Sequence, residues 1–182
     1  MNAERLPPST AAFVRDARVA RLATADPRGT PHVIPICFVF DGRALYSAID
    51  EKPKRASPRS LRRLRNIMAN PRVALVIDHY EENWRRLRYV LVHGTAAIVD
   101  RGPEHRRAIT LLRGKYRQYR SMRLEGRHVV KIVPLRVRAW DAGAKSGGRR
   151  AAARSAPATP ASAAEVAART HSTVARVAGR KN

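Results

Sequence analysis

Only one cysteine, Cys37, stands among the 182 residues. A lone thiol cannot close an internal disulfide, so no disulfide framework holds this fold, and a reducing compartment suits it. Aromatic residues are also scarce, at 5% against a hydrophobic total of 44%. Aliphatic, often β-branched, side chains must therefore fill the core. Long apolar runs are missing too. Stretches such as Val33 to Phe40 fall far short of the roughly 20 residues a membrane helix needs, and MNAERLPPSTAAFVRD at the start holds no apolar segment of signal-peptide type. These absences predict a soluble cytoplasmic protein with no membrane span. Acids are the last deficit: 14 Asp and Glu face 37 Lys and Arg, for a formal net charge of +23. Such a surplus is silent about fold but draws anions, whether phosphate ligands, nucleic acid or a membrane surface.

Several catalytic patterns are lacking as well. The six histidines form no i, i+4 pair and have no cysteine partner at metal-ligand spacing, so no metal site is expected. No G-x-S-x-G elbow and no Walker phosphate loop appears, which leaves hydrolase and nucleotidase readings without support.

What is present reads as one domain and a tail. A composition break falls near Ala142; from there to Asn182 the text is Ala, Arg, Ser, Gly and Pro without an aromatic. Residues 142–182 cannot bury enough apolar area to offset their ordering entropy, and a disordered basic tail is expected. Removing its +7 from the total of +23 leaves +16 on residues 1–141, so the ordered part is basic in its own right. Within 1–141, short strands alternate with a few helices. Ser9 or Thr10 can cap a first helix, VARLATA (19–25) reads as a strand, and Asp26-Pro27-Arg28-Gly29 as a turn. PHVIPICFVF (31–40) is apolar on both faces, as suits a barrel wall covered from outside, by a second subunit for instance. ALYSAI (44–49), RVALVIDH (72–79), RLRYVLVHGTAAIV (86–99) and HVVKIVPLRVRAW (128–140) complete the strands, with Gly94 and Pro134 marking bulges or close approaches. Pro103 to Tyr116 is a helix with Ile109, Leu111 and Leu112 as its apolar side. The class is mainly β: an antiparallel barrel with helical decorations.

The segment Lys52 to Asn66 carries the chemistry. Seven cations and no acid lie between Lys52 and Arg65. Ser57 with Pro58 makes a helix start, and Leu61, Leu64 and Met68 supply a buried stripe. Lys52, Lys54 and Arg55 precede the helix, while Arg59, Arg62, Arg63 and Asn66 follow on one face. A helix N-terminus beside such cations favours phosphate, which Arg grips with paired donors and Lys with point charge. A solvated charged face is the plainer alternative; the lack of balancing acids favours an anion site.

In their order, VARLATADPRGTPHVIPICFVFDGRALYSAID, KPKR, LRRLRNIMANPRVALVIDHY and ENWRRLRYVLVHGTAAIV resemble the pyridoxamine-phosphate-oxidase-like split barrels, in particular the branch that uses the deazaflavin coenzyme F420. The likeness spans about residues 17–99, and the strand before Trp140 also fits. It implies a six-stranded antiparallel split β-barrel that pairs into a homodimer, with cofactors between the subunits. By that resemblance Lys52, Lys54, Arg55, Arg63, Arg65 and Asn66 hold the cofactor phosphate, and Val33, Pro35, Ile36, Ser47 and Ala48 line the isoalloxazine ring. Trp84 matches an aromatic that reaches the partner's cofactor.

The implied activity is hydride transfer between F420 and an unidentified small organic substrate. Because the cofactor carries the reactive centre, no catalytic dyad is required, and no catalytic residue is assigned. Spacing alone does not separate F420 from flavin mononucleotide (FMN), so an FMN-binding oxidase or flavin reductase stays open. So do a cofactor or haem carrier without turnover and a nucleic-acid-binding protein, with weak nonspecific contact through the basic tail. Tyr46, Tyr89, Tyr116, Tyr119 and His79 carry exchangeable protons, but packing or surface exposure is the ordinary fate of each. Cys37 reads as an inert, buried mid-strand thiol.

Overall fold

The computed structural model describes residues 4–50 and 61–143; of the two compact units of the chain, split after Ala144, these belong to the first. Its elements run α1 (Pro8–Asp16), β1 (Val19–Ala25), β2 (Pro31–Cys37), β3 (Val39–Phe40), β4 (Leu45–Ala48), α2 (Arg62–Ala69), β5 (Arg72–His79), β6 (Arg88–Val99), α3 (Pro103–Lys115) and β7 (Val129–Asp141), with short 3-10 turns at Trp84–Arg86 and Arg117–Arg120. All seven strands form one antiparallel sheet in the order β2-β1-β5-β6-β7-β4-β3.

The strand count is seven rather than the expected six, and the reason is local. PHVIPICFVF forms two strands that meet at Phe38, because their two halves pair with different neighbours. β2 runs against β1, from Val19 opposite Cys37 to Ala25 opposite Pro31. β3 turns away to pair with β4. Phe38 belongs to neither ladder; its N–H donates to the Tyr116 hydroxyl at 3.0 Å. The tyrosine proton lies between the carbonyls of Arg18 at 2.7 Å and Phe38 at 2.8 Å. One side chain thus supplies the hydrogen bonds that the strand break removes, as a buried backbone requires. Since β2 and β3 are the two ends of the sheet order yet contiguous in sequence, this break curls the sheet into a split barrel.

Gly94 and Pro134 mark the other irregularity. The β6–β7 register shifts between His93 and Gly94, and Gly94 faces Pro134 across it. A Cβ at Gly94 would sit 2.4 Å from the Val133 carbonyl oxygen, so only glycine fits this bulge.

Two apolar clusters hold the domain. The first fills the barrel with Leu22, Phe38, Leu45, Leu75, Ile77, Val92 and Ile132, sealed by Phe13 and Val14 of α1 and by Leu64 and Ile67 of α2. The second sandwiches Tyr46 and Ala48 of β4 against Ala108, Ile109, Leu112, Tyr116 and Tyr119. Each fully buried aliphatic side chain contributes about 1.5–3 kcal/mol relative to exposure.

Several local expectations need correction. Helix α1 starts with Pro8 in its first turn and no side-chain cap, so Ser9 and Thr10 lie inside it. Helix α2 starts at Arg62, after an extended Leu61, not at Ser57–Pro58; those two residues lie outside the described ones. The apolar residues that α2 buries are Leu64 and Ile67, and Met68 is 65% exposed. In α3 the buried side is His105, Ala108, Ile109 and Leu112, and Leu111 faces outward. The segment assigned to a tail is not among the described residues beyond Gly143. No helix among the described residues is long and apolar enough to cross a membrane.

Candidate functional site

Where β2 ends beside β4, the strand pairing leaves a small cavity of about 150 Å³. Pro35, Ile36 and Cys37 form one wall from β2. Ser47 and Ala48 of β4 form a second, and Asp50, Arg63 and Tyr119 close it. Its chemistry follows from residue size. Ser47 and Ala48 are buried but small, so a flat group can approach the β4 backbone closely. Arg63 projects from the first turn of α2 and is half-buried. Burial pulls its pKa down, Asp50 opposes that pull, and the guanidinium stays a cation on the cavity wall. The same positive field reaches β2: the His32 imidazole is held below its ordinary pKa by burial and by the charges of Arg62 and Arg63.

A second cavity of about 290 Å³ adjoins the first and shares Cys37, Asp50 and Tyr119 with it. Its remaining lining is Arg18, Val19, Tyr116, Gln118 and Met122. A larger space of about 450 Å³ lies elsewhere, between α2 and β6. Among the described residues that space is lined by apolar side chains together with Asp100 and His128, which are paired with each other.

The sequence-derived site residues divide into three groups. Pro35, Ile36, Ser47, Ala48 and Arg63 come together on the small cavity, although they lie up to 28 positions apart. Val33, Arg65, Asn66 and Trp84 do not line it. Val33 is 58% exposed on the outer face of β2, Arg65 is exposed on α2, and Trp84 is 68% exposed in its 3-10 turn. Asn66 is buried and structural in its contacts, its side-chain amide donating to the Thr24 hydroxyl at 3.1 Å. Lys52, Lys54 and Arg55 lie outside the described residues.

Three lining residues had no part in the cofactor set read from the sequence. Cys37, read as an inert core thiol, is only half-buried and lines both cavities. Asp50 sits opposite Arg63. Tyr119 is 5% exposed, and burial, reinforced by the neighbouring Cys37 and Asp50, holds its phenol protonated well above the ordinary tyrosine range.

The other candidate proton donors have structural employment. Tyr116 closes the barrel at Phe38, and burial raises its pKa to about 12. Tyr46 donates to Glu104 at 2.9 Å, and Glu104 is also paired with Lys131. Tyr89 stacks on Trp140 with ring centres 5.6 Å apart. His79 is exposed, 4.0 Å from the Glu81 carboxylate.

Comparison with known proteins bears on this geometry. The family model described as pyridoxamine 5'-phosphate oxidase matches residues 6–141. A reductase of Streptomyces rimosus subsp. rimosus, named for 5a,11a-dehydrotetracycline and 5a,11a-dehydrooxytetracycline, is 32% identical over 142 residues, covering 76% of this chain and 94% of that protein. Among solved structures, a conserved hypothetical protein of Mycobacterium tuberculosis superposes with a TM-score of 0.60 at 25% identity, over 77% of this chain and 87% of that one. An F420 reductase superposes with a TM-score of 0.51 at 24% identity, over 73% and 98% respectively, a likeness of fold. With a matched region that takes in every described strand and helix, the chain belongs to the pyridoxamine 5'-phosphate oxidase family.

Proposed function

We propose that this protein is an oxidoreductase that transfers a hydride between coenzyme F420 and an unsaturated small organic substrate. One observation carries the reading: a cavity walled by small strand residues, Ser47 and Ala48, with the half-buried cation of Arg63 at its side. These residues fit a flat ring bearing a phosphate. The small side chains admit the ring against the β4 backbone, and Arg63 supplies paired donors for an anion. The preference for F420 over FMN rests on the resemblance of residues 17–99, and the unsaturated substrate on the relative named as a reductase of dehydro compounds.

Hydride donation or acceptance is the chemistry that a deazaflavin supplies when bound. The chain's own task is to bind and orient. Pro35 and Ile36 of β2 line the cavity together with Ser47 and Ala48 and would hold a ring bound there. Arg63 neutralises phosphate charge, joined in this reading by Lys52, Lys54 and Arg55. We also read the outer face of the β2-β1-β5 sheet, where Val33, Pro35 and Val76 are exposed, as the surface of a homodimer, with Trp84 reaching toward the second copy.

The test is a fluorescence titration of the full chain with F420 and, separately, with FMN. Saturable F420 binding at about one per subunit, lost at least tenfold in Lys54→Ala/Arg63→Ala with unchanged circular dichroism, is the expected result. Preference for FMN would move the chemistry to an oxidase or flavin reductase. Binding of neither, or unchanged affinity in the double variant, overturns the assignment.

A further inference from the structure

The cavity that adjoins the candidate cofactor site has no role in the reading above, and its composition differs from that site. Val19 and Met122 give it apolar walls, and Tyr116 adds a ring. Arg18, stacked over the Tyr116 ring at 4.8 Å, gives it a cationic rim. The wall between the two cavities is Cys37, Asp50 and Tyr119.

Tyr119 is the informative member. Its side chain is buried and lines both cavities beside Cys37. A buried O–H ordinarily finds an acceptor. The neighbouring Tyr116 hydroxyl meets that rule with three backbone contacts. Tyr119 stands at the junction of the two cavities, and burial keeps its phenol protonated, the form that donates.

We propose that the 290 Å³ cavity is a substrate subsite for a flat, largely apolar molecule carrying one oxygen acceptor, which takes its hydrogen bond from the Tyr119 hydroxyl. Its apolar walls exclude strongly charged substrates, and its volume admits a bicyclic ring. The inference rests on the neighbouring cavity being the cofactor site, since a subsite must adjoin the reacting ring. Tyr119 acts here as a positioning residue.

The experiment measures binding, so it reads independently of F420. The full chain is titrated by calorimetry with 1-tetralone, a bicyclic ketone, and with tetralin, its hydrocarbon counterpart. Wild type should bind 1-tetralone saturably and more tightly than tetralin. Tyr119→Phe should weaken 1-tetralone about five- to tenfold while leaving tetralin unchanged, a split that a merely structural role would not produce. Met122→Trp should fill the cavity and weaken both at least tenfold. Val19→Trp, at an exposed strand position, repeats that test where Met122→Trp fails to fold. F420 affinity should survive Met122→Trp. No 1-tetralone binding in wild type, equal losses of both probes in Tyr119→Phe, or indifference to both cavity-filling variants overturns the proposal. Loss of F420 binding in wild type overturns the cofactor reading instead, whatever the probes do.

Discussion

Removing the Tyr116 hydroxyl should damage the fold more than any ordinary Tyr→Phe change. The hydroxyl accepts from the Phe38 N–H at 3.0 Å and shares its proton between the carbonyls of Arg18 and Phe38 at 2.7 and 2.8 Å. Phe38 is fully buried at the point where β2 ends and β3 begins, so water cannot easily replace the lost oxygen. Two backbone groups of Phe38 are left unsatisfied, each costing about 1–3 kcal/mol, while the more open Arg18 carbonyl can recover a solvent partner. The Tyr116 ring stays in place and keeps its apolar contacts. The total for Tyr116→Phe is about 2–4 kcal/mol, or roughly 6–12 °C in Tm for a chain of this size. Urea denaturation followed by circular dichroism measures it, with Tyr46→Phe as the control, since that hydroxyl bonds one carboxylate that also holds Lys131. A loss for Tyr116→Phe below about 1 kcal/mol, or no larger than the control, refutes the idea that this hydroxyl closes the barrel.

Gly94→Ala should cost about 2–3 kcal/mol, because its Cβ meets the Val133 carbonyl at 2.4 Å and backbone must move, whereas Gly114→Ala, with open space around it in α3, should gain about 0.5–1 kcal/mol. Denaturant midpoints that rank the two variants the other way would contradict the close approach at the bulge. Burial, helped by the Arg18 charge, lowers the Lys115 pKa to about 8 from 10.5. Between those values the unfolded chain binds a proton that the native chain does not, so stability should rise with pH across the window by roughly 1 kcal/mol after allowing for solvent screening. Tyr116, raised to about 12, works in the opposite sense above pH 10. Chemical denaturation at pH 7.5, 8.5 and 9.5 should show the rise in wild type and not in Lys115→Met; a flat wild-type profile defeats it.

The family resemblance, not the local pattern, singled out the strand residues of the small cavity, and the run of cations singled out Arg63. Pro35, Ile36, Ser47 and Ala48 lie in strands whose apolar runs are plain to read, and Arg63 in a run of cations without acids. Met68 was read as buried but is exposed, because only packing against the barrel decides which side chains of α2 turn inward. Tyr119 and Asp50 had no local signal. Tyr119 lies 82 positions from Cys37, in a short 3-10 turn of basic residues, and only the packing of α3 on β4 brings them together.

The sequence by itself determined the class of the molecule. Alternating aliphatic strands with few aromatics can only bury themselves as a sheet, one cysteine excludes a disulfide frame, and a charge of +23 commits the surface to anions. Tertiary structure alone decided where the long apolar strand breaks. Residues 33–40 are uniformly apolar, so nothing local distinguishes Phe38 from its neighbours. The break is set by a tyrosine 78 positions away, and by two ladders that claim opposite halves of one segment. From that break follow the strand count, the closure of the barrel and the two cavities that meet at Cys37.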